Sequence, residues 1–122
     1  DNSIYLDCVD RARARGIDVP IVPGVMPLMS PGQIRRIVYL CGVSIPAEVL
    51  RLLDRWGDDP AGLRRAGTEY AVRQVRGLLD EGAPGVHLYT MNRVHQISDI
   101  VRGAGSNRFL GSNLPALTEG GV

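Results

Sequence analysis

Apolar residues recur at helical spacing along most of the chain. Tyr5, Cys8, Val9 and Ala12 fall at i, i+3, i+4 and i+7, which predicts a first helix over about Ile4 to Arg15. Asn2 or Ser3 can cap it, and Gly16 can end it in a left-handed conformation. The run Ile17 to Pro27, IDVPIVPGVMP, is almost continuously apolar, the pattern of a strand buried on both faces. Pro20 suits the start of that strand; Pro23, Gly24 and Pro27 break it into a loop. Ser30, Pro31 and Gln33 form a capping box at the head of a second helix. Ile34, Ile37, Val38 and Cys41 make its apolar side, and Gly42 stops it. Ser44 and Pro46 open a third helix, with Val49, Leu52, Leu53 and Trp56 inward. Pro60 to Glu81 predicts a long fourth helix, its inner face marked by Leu63, Gly67, Tyr70, Ala71, Gln74, Val75, Leu78 and Leu79. A turn at Gly82 to Gly85 leads to a strand, Val86 to Thr90. Val94, Ile97 and Val101 mark a last helix that ends at Gly103. Residues 104–122 are rich in Gly, Ser and Asn and read as a flexible tail, which leaves 1–103 as the structured part.

The order helix, strand, helices, strand, helix is a βα pattern and predicts an α/β fold with a parallel sheet. Two strands cannot bury a parallel sheet on both faces. Either a partner chain supplies the remainder, or most of a larger domain lies outside this stretch. The first residue is Asp1, not methionine, and it opens at a helix entry, so the stretch reads as a piece of something longer. Alone, it should expose apolar surface and associate.

Composition narrows the function classes. The chain is 44% hydrophobic and 22% charged, with a formal net charge of +1, so no broad field draws in nucleic acid or a membrane surface. All fourteen basic residues are arginine, and they are scattered. Cys8 and Cys41 are far apart, without metal-ligand spacing. Both fall in apolar helical patterns, so they read as buried free thiols, which suits a cytoplasmic location. Neither a signal peptide nor an apolar run of membrane-spanning length is present.

In a parallel α/β protein, function sits at the carboxyl ends of the strands. Two segments qualify, Pro23 to Ser30 and Met91 to Arg93. The second ends an unusual strand, GVHLYTMNR, in which an apolar run leads straight to polar side chains. Alternation puts His87, Tyr89 and Met91 on one face and Val86, Leu88 and Thr90 on the other. His87 is either a hydrogen-bonded structural histidine or a ligand contact. Tyr89 serves equally as core filler or as a platform for a ligand. Arg93 can take a carboxylate or phosphate through its two-pronged guanidinium, or it is a solvated arginine at a helix start, where the dipole mildly opposes it. Gln33 has a capping role, Gln74 reads as a clamp to a neighbouring helix, and His95 reads as exposed. The sequence carries no nucleophile–base pair, no metal-ligand cluster and no glycine-rich phosphate loop.

Taken together, four segments resemble methylenetetrahydrofolate reductase. They are GIDVPIVPGVMP (Gly16–Pro27), CGVSIP (Cys41–Pro46), the Ala66–Leu79 stretch and PGVHLYTMNR (Pro84–Arg93). Their order and spacing match along about Asp1 to Arg102; residues of the tail find no counterpart. The resemblance implies a (β/α)8 TIM barrel, of which this chain is the C-terminal part: helix six, strand seven with its helices, strand eight and helix eight. It implies reduction of 5,10-methylenetetrahydrofolate to 5-methyltetrahydrofolate, with NADH or NADPH as hydride donor and FAD as relay. A glutamate general acid and nearly all flavin contacts would belong to the barrel segment that precedes this stretch, so the chain would supply positioning and no catalytic residue. By resemblance, Gln33 contacts the pterin or the nicotinamide. Ile37 stands where some members carry a stacking phenylalanine, Tyr89 and Met91 line the folate site, and Arg93 binds the glutamate tail of folate. No metal is implied. The alternative is a non-catalytic half-barrel subunit, completed by a second copy or by another polypeptide.

Overall fold

The structure, a computed structural model, describes residues 1–105. Five helices and two short strands follow one another: α1 (Asn2–Arg13), β1 (Gly24–Val25), α2 (Pro31–Cys41), α3 (Ala47–Trp56), α4 (Pro60–Asp80), β2 (His87–Leu88) and α5 (Val94–Ala104). The expected tail from Ser106 onward lies outside the described residues. The helix expected to end at Gly103 runs one residue further, to Ala104, which is buried in the core.

β1 and β2 pair in parallel, with Gly24 opposite His87 and Val25 opposite Leu88. The ladder is extended by His87 N donating to Pro23 O and Tyr89 N donating to Val25 O. The paired residues of β1 therefore lie inside the segment expected to be a loop. The reason is the prolines. Pro20 and Pro23 have no N–H to give a ladder, so pairing begins at the carbonyl of Pro23 and needs nothing from its nitrogen. Upstream, Val19 and Val22 are exposed, against the expectation of a strand buried on both faces. β2 is likewise shorter than the expected Val86–Thr90.

One face of the sheet is covered. Val25 packs with Ala71, Val75 and Leu78 of α4 and with Ile100 and Ala104 of α5; Tyr5 of α1, Val86 and Leu88 lie against this cluster. The long α4 is the spine: it packs chiefly on α5 and also meets α3 and α1. Gly103 of α5 lies against Val72 of α4, close enough that a Cβ there would meet Val72 at 2.8 Å. The other face, with Gly24, His87 and Tyr89, is open to solvent.

Helix ends follow local chemistry. Asp1, not Asn2 or Ser3, caps α1 by accepting from Ser3 N, so the helix begins two residues earlier than expected. Ser30 caps α2 by accepting from Gln33 N, and Gly42 ends it at φ +60°. Asp59 caps α4 through Ala61 N and Gly62 N. Gln74 does meet α1, but through its backbone: Asn2 Nδ2 donates to Gln74 O at 2.9 Å. Cys8 and Cys41 are both exposed free thiols, against the expected burial. Cys8 lies on the solvent side of α1, while Tyr5, Val9 and Ala12 of the same stripe turn partly inward, and Cys41 is the terminal residue of α2, beyond the packed turn at Ile34.

Candidate functional site

Parallel pairing brings the β1–α2 connection and the β2–α5 connection to the same rim. The β1–α2 loop, Pro27 to Met29, is held from three sides. Gln33 Oε1 accepts from Met29 N at 2.8 Å, and its Nε2 donates to Pro27 O at 3.2 Å. Gln96 of α5 donates to Leu28 O at 3.3 Å. Gly67 of α4 lies under the same carbonyl, where a Cβ would come within 2.5 Å of Leu28 O. Ser30 and Gln33 thus make only half of the expected capping box. The hydroxyl accepts from Gln33 N, but the amide turns back to the residues before Ser30. Ile37 stands one turn further along α2 and is half-buried.

At the end of β2 the backbone does something local sequence did not reveal. Met91 and Asn92 both have positive φ, +46° and +60°. Asparagine tolerates this region; methionine does so at a cost of about 1–2 kcal/mol. Two left-handed residues in succession turn the strand into α5 in the space of one tight turn, closed by Arg93 N donating to Thr90 O at 2.8 Å. Arg93 then occupies the N-cap position of α5, just before the first turn, and makes no side-chain cap bond. Its side chain is exposed.

Arg93 lines a cleft of about 610 Å³ between the first half of α4 and the start of α5. Arg64, Thr68 and Glu69 form one wall; Asn92, His95 and Asp99 form the other. Asp99 is engaged by Arg102 at 3.1 Å. Among the described residues no ion pair holds Arg93. The guanidinium and the uncapped first N–H groups of α5 therefore present positive charge on the same side. Of the five residues expected to bind substrate, Arg93 alone lines this cleft. Tyr89 and Met91 are exposed on and just beyond the open face of β2, and Gln33 and Ile37 sit on the neighbouring connection. Gln96, which ties α5 to the β1–α2 loop, was not singled out from sequence. Its spacing of three from Arg93, one helical turn into α5, is the signal that it shares a side with the cleft.

A second, smaller cleft lies among Asn2, Glu48, Tyr70 and Arg73. Arg73 pairs with Glu48 and stacks near the Tyr70 ring. Burial raises the Tyr70 phenol above its ordinary pKa; Glu48 adds to the rise and Arg73 opposes it. Among the described residues, no group of three His, Cys, Asp or Glu is arranged to hold a metal ion, and no helix is long and apolar enough to cross a membrane.

The methylenetetrahydrofolate reductase family profile matches residues 1–105. A probable methylenetetrahydrofolate reductase (NADPH) of Caenorhabditis elegans is 42% identical over 94 residues, which is 76% of this chain and 14% of that protein. Methylenetetrahydrofolate reductase 1 of Schizosaccharomyces pombe is 33% identical over 115 residues, 94% of this chain and 19% of that protein. The 5,10-methylenetetrahydrofolate reductase of Escherichia coli is 34% identical over 93 residues, 76% of this chain and 31% of that protein. The chain therefore spans well under half the length of these relatives, and over that span it belongs to the methylenetetrahydrofolate reductase family.

Proposed function

We propose that this chain forms part of the folate and nicotinamide site of an enzyme that reduces 5,10-methylenetetrahydrofolate to 5-methyltetrahydrofolate with NADH or NADPH. The observation that carries the reading is Arg93: within a chain of this family, it stands exposed, and without an ion-pair partner among the described residues, just past the carboxyl end of β2. A planar guanidinium suits the carboxylates at the end of a folate, and a charge-assisted pair of this kind is worth about 1.5–3 kcal/mol. Tyr89 and Met91 offer an aromatic and a thioether surface to the pterin and its linker, and Ile37 offers an aliphatic one. Gln33 keeps the β1–α2 loop in place and still has one amide N–H and one lone pair for the pterin or the nicotinamide.

In this reading, strands β1 and β2 are the seventh and eighth of a (β/α)8 barrel, and the open face bearing Gly24, His87 and Tyr89 is its interior. The remaining strands lie beside them in the working protein. The described residues do not make a flavin site. They offer no glycine-rich run of backbone amides for a diphosphate. What this stretch contributes is binding and orientation, which convert a loose encounter into a productive geometry.

The test is Arg93→Ala in the full-length protein. The KM for methylenetetrahydrofolate should rise about tenfold to a hundredfold, with a smaller change in the KM for the nicotinamide cofactor. An unchanged folate KM would remove Arg93 from the substrate site.

A further inference from the structure

Gly24 and His87 stand opposite each other in the ladder. Tyr89 shares its face of β2 with His87. Its ring packs edge-on against the imidazole, with centroids 4.8 Å apart and planes at 66°. The ring also crosses to the neighbouring strand. A Cβ built on Gly24 would sit 2.8 Å from Tyr89 Cε2, 3.1 Å from its hydroxyl oxygen and 3.3 Å from Cζ. The glycine is not there for its backbone: its φ lies outside the left-handed region that favours glycine. What it supplies is room. Among the described residues no hydrogen bond anchors the Tyr89 hydroxyl, so the ring's orientation depends on the two neighbours it touches.

We propose that Gly24 and His87 are positioning residues for Tyr89. The bare backbone of Gly24 lets the ring lie across β1, and His87 backs it edge-on. Together they fix the aromatic wall of the substrate site, and in this respect the inference rests on the folate reading. Alanine at position 24 forces the ring to swing off the strand, because the nearest ring carbon cannot share that space.

The experiment uses the full-length protein carrying 3-fluorotyrosine, with the Tyr89 fluorine resonance assigned by its loss in Tyr89→Phe. Gly24→Ala should move that resonance and leave those of other tyrosines in place. His87→Ala should move it too, whereas His87→Phe, which keeps an edge-to-face contact, should move it less. In kinetics, Gly24→Ala should raise the folate KM about tenfold, the scale of one lost aromatic contact, with kcat less affected. In a Tyr89→Ala background the same substitution should add less than about twofold, since it acts only through the ring. The double variant has space for the new methyl group, so it also guards against a Gly24→Ala protein that fails to fold. An unmoved resonance, or an undiminished effect of Gly24→Ala without the ring, overturns the proposal. If the resonance moves while neither Gly24→Ala nor Arg93→Ala alters the folate KM, the ring is positioned as inferred and the folate reading is what fails.

Discussion

Both ends of the Gln33 amide are taken up by the loop it serves, one by Met29 N and the other by Pro27 O. A residue whose only use was to touch a ligand would leave the apo fold unchanged when removed. A brace would not. Gln33→Leu should therefore lower the stability of the full-length protein by about 1–2 kcal/mol, read from its denaturation midpoint, because two half-buried backbone groups lose a partner. Gln33→Glu keeps the acceptor for Met29 N and should lose less. A Leu variant as stable as the wild type would make Gln33 a ligand contact and nothing more. Local sequence revealed half of this arrangement. Ser30, Pro31 and Gln33 announced a helix start, and Ser30 caps it as expected. The direction of the amide was hidden, because it depends on the path of a loop whose carbonyls come from residues 27–29. The left-handed pair Met91–Asn92 was hidden for the same reason. Asparagine hints at such a conformation, but methionine gives no sign of it.

At the level of elements, the β1–α2 loop is where α4, α5 and α2 converge. Gly67 is the tightest of these contacts, since its missing side chain lets α4 approach Leu28 O. Backbone cannot yield as a flexible side chain can. Gly67→Ala should cost about 1–3 kcal/mol despite alanine's better helix propensity, measurable as a lowered thermal midpoint. A gain in stability would mean that the approach is looser than it stands here. The helices were legible because each rests on a periodic apolar stripe, and α1, α2 and α4 also carry a local side-chain cap, at Asp1, Ser30 and Asp59. The strands were less so. Parallel pairing joins residues more than sixty positions apart, and the apolar pattern of IDVPIVPGVMP does not say which two residues enter the ladder. The prolines decide it, by withholding N–H groups at Pro20 and Pro23. The cysteines were misread at this scale: a residue on an apolar stripe is buried only if the neighbouring element reaches it, and at Cys8 and Cys41 none does.

For the whole molecule, the sheet is covered on one side and bare on the other. Val25, Val86 and Leu88 face the helices, while Gly24, His87 and Tyr89 face outward. That asymmetry fits two strands of a closed barrel, with an interior that further strands complete. The family was legible in the sequence because its signature lies in the strand ends and the loops after them, where fold and ligand both constrain the residues. On the proposed reading, the rim beyond β2 receives the carboxylate end of a folate at Arg93. The direct measurement is a binding titration of the full-length protein, wild type and Arg93→Ala, with 5-methyltetrahydrofolate and with the same pterin truncated before its glutamate. The wild type should bind the intact folate about tenfold to a hundredfold more tightly than the truncated one, and Arg93→Ala should erase most of that preference. If the Arg93→Ala protein still prefers the intact folate by the same factor, the glutamate tail is held elsewhere and the assignment of this rim is wrong.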